Sequence, residues 1–404
     1  MALTNKTIFI LGAAKFDSRI ASTSLTVARH LAKNNRVYYI DYPFTWKDCI
    51  KLRNTRQYEV RKPYFRRSSS GIIPTDIPNL KVVLVPPLPS INFLPEGRVY
   101  RFLLSRVQRK IRNRIRQIIR HECITDFIYI NSFNFHYPDI ADGLSPLKTV
   151  YHCVDPLVVP YDRRHGLISE DRLVRFSDLV ICTSKRLCEK HARLNRNCFF
   201  VPNAADISHS STALDHRLNV HPALNLIPKP VIGYFGNIER RIDFELLHEV
   251  VLANSDNSFV LAGPFNPEIL PEWLFKTPNV HLTGSIPYNE MPALVKGFDV
   301  ALIPFKKDEY SGTIFPLKLF EYLGAGKPVV ATDFNPDLAD FTGDTVDYCN
   351  SPDAFTNAIV TALSHDSAQK VAARVAVAQA NTWDRRAADF EKILAGNPPV
   401  IQVS

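Results

Sequence analysis

Phe315-Pro316-Leu317-Lys318-Leu319-Phe320-Glu321-Tyr322-Leu323-Gly324-Ala325-Gly326-Lys327-Pro328-Val329-Val330-Ala331-Thr332 reads as a helix, a glycine-capped turn and a strand. A strand ending Ile303-Pro304-Phe305 and a polar loop through Gly312 precede it. A helix N-terminus behind a polar loop presents unpaired backbone N–H groups and the positive end of a dipole, which suit a diphosphate. Lys318 and Glu321 are three apart and share a helix face. A cation can therefore meet phosphate while a carboxylate accepts from ribose hydroxyls. An isolated pair of this kind is otherwise an exposed ion pair of little worth, so its surroundings have to decide.

Outward from this run the same alternation repeats. Val231 to Phe235, Phe259 to Ala262, Val280 to Thr283, Val300 to Ile303 and Pro328 to Thr332 read as strands. Phe244 to Ala253, Met291 to Val295 and Leu317 to Gly324 read as helices between them. In the first half, Ile8 to Leu11, Val37 to Ile40, Val82 to Val85, Phe127 to Ile130, Thr149 to Cys153 and Leu179 to Cys182 read as strands, with a helix over Ile20 to Lys33. Short apolar runs alternating with helical periods indicate parallel α/β sheets covered on both faces. The fold class expected is α/β, with two doubly wound, Rossmann-like domains and a cleft between them at the carboxyl ends of the strands. Residues 1–205 form the N-terminal domain, 206–229 a polar linker and 230–380 the C-terminal domain. Residues 381–404 supply a last helix and tail expected to return toward the N-terminal domain.

Composition fits this reading. The 404 residues suffice for two domains, and 46% hydrophobic with 11% aromatic residues can fill two cores. Lys and Arg outnumber Asp and Glu by 49 to 40, for a formal charge of +9, which points to an anionic partner. Seven scattered cysteines, an odd number, argue against a disulfide framework and for a reducing compartment. The N-terminus shows no signal-peptide pattern, and no uncharged apolar run reaches 18 residues, so the chain is expected in the cytoplasm or lying on a membrane.

The helix with Glu321, its Gly324-Ala325-Gly326 turn and the strand Pro328-Val329-Val330 resemble the donor-binding half of GT-B glycosyltransferases of group 1. The resemblance implies that Glu321 binds the donor ribose and Lys318 the diphosphate. It extends to Val231-Ile232-Gly233-Tyr234-Phe235-Gly236-Asn237-Ile238-Glu239-Arg240-Arg241, which looks like the family's opening strand and glycine turn. Gly236 would let backbone approach the ligand, and Arg240 or Arg241 would face the diphosphate. Leu261-Ala262-Gly263-Pro264 resembles the next strand's ligand-facing end, and Gly284-Ser285-Ile286-Pro287 the segment whose backbone reads the base. The family commonly has a second glutamate with seven residues between it and the ribose-binding one. Thr313 stands there, so Ser311, Gly312 and Thr313 are expected to serve with hydroxyls and amides.

In the N-terminal half, Gly12, Asp17 and Arg19 follow the first strand, where the corresponding family loop faces the cleft. Tyr151-His152-Cys153-Val154-Asp155 ends another strand, and His152 and Asp155 are candidates, with Asp17, to handle the acceptor's proton or orient the sugar. Asp178 to Ser184 and Val201-Pro202-Asn203-Ala204 also resemble the family, with Ala204 in place of its usual Gly.

Gly324-Ala325-Gly326-Lys327 is not a phosphate loop, because it follows a helix and precedes a strand. Cys182, Cys188, His191 and Cys198 match no compact paired-ligand spacing, so no metal is expected. Residues 98 to 120 hold nine Lys or Arg and no acid. Val99, Phe102, Leu103, Val107, Ile111, Ile115, Ile118 and Ile119 form a stripe on that helix. The stripe suits either an anionic lipid surface, with Arg101, Arg106, Arg109 and Lys110 as contacts, or packing on a sheet. Arg61, Lys62, Arg66 and Arg67 add to the basic surface. Nucleic acid is not expected, since no binding module accompanies the charge.

The reading is metal-independent hexosyl transfer, without cofactor, from a nucleotide-sugar, UDP-sugar favoured, to a glycan or lipid-linked acceptor. Bacterial surface-polysaccharide enzymes, the teichuronic acid type among them, are the nearest resemblance. A nucleotide-sugar epimerase of the same fold and a silent nucleotide-sugar-binding scaffold are the alternatives.

Overall fold

The computed structural model describes residues 3–18, 22–66 and 68–397. The chain divides into two compact units, one of Met1–Pro202 with Ala387–Ser404 and one of Asn203–Arg386.

The first unit is built on an eight-stranded sheet. Its strands are β1 (Thr7–Leu11), β2 (Arg36–Ile40), β3 (Ile72–Pro74), β4 (Leu80–Val83), β5 (Ile128–Ser132), β6 (Lys148–Cys153), β7 (Leu179–Cys182) and β8 (Cys198–Phe200). They lie in the order β3-β4-β2-β1-β5-β6-β7-β8. All pairs are parallel except β3 with β4. Ile8, Phe9, Ile10 and Leu11 are all buried, as helix-covered parallel strands require. The two strands of this unit that patterning did not foresee, β3 and β8, are edge pieces of three residues, too short to show a period.

The basic helix Arg98–His121 settles one of the two readings of its stripe. Tyr100, Leu104, Val107, Ile111, Ile115 and Ile118 pack into the core with Phe9, Tyr38 and Phe127. Val107, Ile111, Ile115 and Ile118 are therefore core residues rather than lipid contacts. Val99 and Phe102 stay outside, 69% and 56% exposed. From Ala387 onward the last helix, Trp383–Leu394, belongs to this unit, where Phe390, Ile393 and Leu394 are buried. Asn34 and Asn35 donate to the Glu391 carboxylate at 3.2 and 3.1 Å.

The second unit carries six parallel strands, β9 (Val231–Phe235), β10 (Ser258–Ala262), β11 (Val280–Gly284), β12 (Val300–Ile303), β13 (Val329–Thr332) and β14 (Val346–Cys349). Their order is β11-β10-β9-β12-β13-β14. In chain order within the unit this is 3-2-1-4-5-6, the doubly wound arrangement whose switch point lies between the first and fourth strands. The stretch 206–229, expected as a linker, folds within this unit. A short helix, Ile207–Ser210, and 3-10 turns at Ser211–Leu214 and Pro222–Leu224 bury Ile207, Ser210, Ala213 and Leu224. These few apolar residues are too widely spaced to show a helical period in sequence.

Candidate functional site

The helix Leu317–Gly324 starts beside the carboxyl ends of β9 and β12, at the switch point. Pro316 precedes it and no side chain caps its first N–H groups. The Leu319 amide donates back to the Pro316 carbonyl at 3.3 Å, which leaves the Leu317 and Lys318 amides to face an anion. Leu319, Phe320, Tyr322 and Leu323 are fully buried, and the Tyr322 hydroxyl accepts from the Phe235 amide at 2.8 Å, tying the helix to the end of β9. Gly326, at φ +72°, closes the helix, with the Lys327 amide donating to the Tyr322 carbonyl at 3.0 Å. Lys327 Nζ donates to the Lys296 and Phe298 carbonyls, a fastening role that agrees with the rejection of a phosphate loop.

Lys318 extends from the first turn into a polar recess with an aromatic wall. Its Nζ donates to the Tyr234 hydroxyl at 2.8 Å and lies 3.9 Å from that ring's centroid and 5.2 Å from Phe305's. Burial pulls the Lys318 ammonium down to about 7, Arg241 adds to the depression, and Glu321 and Glu239 oppose it. Gly236 has φ +129°, and a Cβ there would stand 2.4 Å from Lys318 Nζ. A Cβ on Gly263 would meet the Gly236 carbonyl oxygen at 1.9 Å. The two turns thus approach each other through bare backbone, joined by the Gly236 amide donating to Ala262 and the Gly263 amide to Gly284, both at 2.8 Å.

Glu321, one turn on, is 8% exposed and accepts from the Tyr288 hydroxyl at 2.8 Å. Burial raises its pKa, with Tyr288 and Lys318 acting against the rise. Tyr288 stacks on His209 with centroids 4.4 Å apart. His209, Ser210, Phe235, Pro292 and Glu321 line one small recess. Ile286 is half-buried and Pro287 exposed just before Tyr288. Nothing in local spacing marks Tyr234, Tyr288 or His209 as site residues, and His209 lies in the stretch expected as a linker, far in sequence from its partner.

Of the two arginines, Arg241 is half-buried and pairs with Glu239 at 3.2 Å, whereas Arg240 is exposed. Arg241 is therefore the one whose charge reaches Lys318. Ser311, Gly312 and Thr313 form a buried 3-10 turn. Their amides donate to Asp308 and Tyr310, and the Thr313 hydroxyl donates to the Tyr310 carbonyl at 2.7 Å. The amides expected to serve a ligand are thus already engaged within the loop, because a tight turn pairs its own donors.

The N-terminal candidates do not form one cluster. The room that Gly12 leaves is filled from inside, since a Cβ there would stand 2.0 Å from the Tyr39 hydroxyl. Asp17 is gripped by both terminal nitrogens of Arg61 at 2.7 and 2.8 Å. Burial raises its pKa, but Arg61 outweighs this and leaves Asp17 below the usual carboxylate range, unfit as a base. Arg61, 1% exposed, also donates to Asp41 at 2.8 Å. His152 is interior, with Nδ1 3.0 Å from the Ser132 hydroxyl and Phe390 edge-on at 5.2 Å. Burial drives it down to about 4, so it is a neutral core imidazole, not the open proton carrier expected. Asp155 stays half-buried just past the carboxyl end of β6. Arg19 and Arg67 lie outside the described residues.

On the basic helix, Arg101 is held by Glu96 at 2.6 Å, while Arg106 covers the exposed ring of Phe102 at 4.9 Å. Lys110 sits 5.4 Å over Trp46, which is 57% exposed, and Arg109 is exposed.

Two parallel-sheet units, one with an anion-ready helix at its switch point, can be set against known proteins. Residues 229–365 match the family described as "Glycosyl transferases group 1". Over the whole chain, the sucrose-phosphate synthase of Thermosynechococcus elongatus superposes with a TM-score of 0.64 at 13% identity, covering 97% of this chain and 99% of that one. HepE of Anabaena in complex with UDP gives 0.60 at 14%, covering 97% and 100%. The chain has the GT-B fold. A relative in sequence is a protein of Bacillus subtilis (strain 168) provisionally named as the teichuronic acid biosynthesis glycosyltransferase TuaH, 29% identical over 216 residues. That match takes in 49% of this GT-B chain and 53% of the relative, about half of each.

Proposed function

We propose that this GT-B protein is a glycosyltransferase that moves a sugar from a nucleoside-diphosphate sugar, UDP-sugar foremost, to a hydroxyl of a glycan or lipid-linked acceptor in polysaccharide synthesis. The observation that carries the proposal is the grouping of Lys318, the uncapped helix start and Glu321 beside the Gly236 and Gly263 turns. The family match over this unit and the UDP-bound HepE neighbour support it. In the reaction the bond from the anomeric carbon to the diphosphate oxygen breaks, the acceptor oxygen bonds that carbon, and the acceptor proton is released. Lys318, Arg241 and the helix N-terminus stabilise the charge gathering on the departing diphosphate, with no metal in that role. Glu321 accepts from the ribose hydroxyls once Tyr288 gives way. Asp155 is the remaining N-terminal candidate for the acceptor's proton.

Calorimetry with UDP, GDP and dTDP in chelator, comparing wild type with Glu321→Ala, tests the donor half. The expected result is binding of one nucleotide and its loss in the variant. Binding of none removes the reading.

The acceptor's lipid anchor is proposed from a second observation. Val99, Phe102, Arg106 and Lys110 on the basic helix and Trp46 and Ile50 on the helix Trp46–Lys51 place exposed apolar side chains among cations. This composition suits an anionic lipid surface at the membrane's inner face. Among the described residues no helix is long and apolar enough to cross a membrane. Co-sedimentation with vesicles containing phosphatidylglycerol, lost in a Trp46→Ser, Phe102→Ser double variant, is the expected result. Equal sedimentation of both proteins counts against it.

A further inference from the structure

We propose that the N-terminal unit carries a structural site for a thiolate-binding divalent cation of the zinc class, formed by Cys182, Cys188 and Cys198, with Cys153 on the strand beside it. In sequence the three show no paired spacing, and only the fold gathers them. Cys153 and Cys182 stand opposite each other on β6 and β7. Cys188 comes from the helix Lys185–Ala192 that follows β7, and Cys198 opens the edge strand β8.

The sulfurs of Cys182, Cys188 and Cys198 all lie within 4.8 Å of one another. Cys182 and Cys198 are 3.7 Å apart, and Cys188 and Cys198 3.1 Å. Cys153 faces Cys182 across the strand pair but groups with Glu170 and His191, outside the set of three. Tetrahedral coordination with metal–sulfur bonds of about 2.3 Å sets the sulfurs roughly 3.8 Å apart, which Cys182 and Cys198 match and Cys188 reaches by a small outward shift, leaving the fourth position to a further ligand. Thiols packed as inert hydrophobes have no reason to converge below the roughly 3.5–4.0 Å optimum of non-bonded atoms.

All four cysteines are buried. Around them lie groups that would support such a site. His191 Nε2 is 3.4 Å from the Cys153 sulfur, while its buried Nδ1 has no partner among the described residues. Lys190 donates to the buried Glu170 at 3.1 Å, and Glu170 Oε1 is 3.8 Å from Cys153. Three thiolates and one divalent cation leave a net charge of −1. Each thiol that binds gives its proton to solvent, and no electron moves. The site would fasten β8, an edge strand with only three residues in its ladder, to the interior of the sheet.

The test uses the native full-length chain, purified without chelator. Elemental analysis should find about one zinc per chain. After exchange into cobalt(II), the protein should show thiolate-to-cobalt charge transfer and the visible bands of a tetrahedral centre, both abolished by a mercurial that titrates thiols. Cys198→Ser, checked for folding by circular dichroism, should lose most of the cobalt spectrum. Metal-free protein with all seven thiols reduced and no cobalt spectrum would overturn the proposal. So would an intact mass two hydrogens light, which would make Cys188 and Cys198 a disulfide.

Discussion

If Lys318 meets the donor's diphosphate as an ammonium, nucleotide-sugar affinity must fall as pH rises through the neutral range. Burial holds the free side chain near pH 7, with Arg241 lowering it further and Glu321 and Glu239 opposing. A bound diphosphate raises that value, so binding takes up a proton above pH 7. Affinity is then full below the free pKa and falls about tenfold per pH unit above it, until the pKa of the complex is reached. At about pH 9 the free ammonium fraction is on the order of 1%, and the dissociation constant should be up to about 100-fold weaker than at pH 6.5. The assay is titration calorimetry with UDP-sugars, whose doubly esterified diphosphate does not ionise in this window. Buffers of different ionisation enthalpy report the proton taken up. Lys318→Arg, charged throughout, should flatten the profile. A wild-type affinity constant from about pH 6.5 to 9, or the same slope in the arginine variant, would refute the assignment.

Other perturbations follow from the same geometry. Gly236→Ala combines a positive φ with a Cβ 2.4 Å from Lys318 Nζ. It should cost about 1–3 kcal/mol in the C-terminal unit and weaken UDP binding, read by thermal shift and calorimetry. Tyr288→Phe removes the hydroxyl that occupies Glu321, so UDP should bind more tightly, by up to about tenfold. Weaker binding would instead make Tyr288 a ligand contact. Arg61→Met leaves Asp17 and the buried Asp41 facing each other without their cation, and should cost about 3–5 kcal/mol of the N-terminal unit's stability in denaturant unfolding.

Sequence by itself determined the class of architecture and the core of the candidate site. Parallel strands covered on both faces must be apolar along their whole length, so β1 and β9 announced themselves as unbroken runs. Lys318 and Glu321 were legible because both lie on one helix, where a spacing of three sets their common face without tertiary information. Contacts between distant segments were not legible. Whether Val107, Ile111, Ile115 and Ile118 met lipid or sheet depended on what covered them, and periodicity is the same for both. His152 and Asp17 were chosen for standing at strand ends, yet burial under Phe390 neutralises one and Arg61 takes up the other. His209 and Tyr288 come from segments far apart in sequence, and Cys182, Cys188 and Cys198 meet only because a strand, a helix and an edge strand pack together. Local spacing fixes what a single helix or strand presents, but long-range packing alone decides which charges are desolvated, paired or left for a ligand.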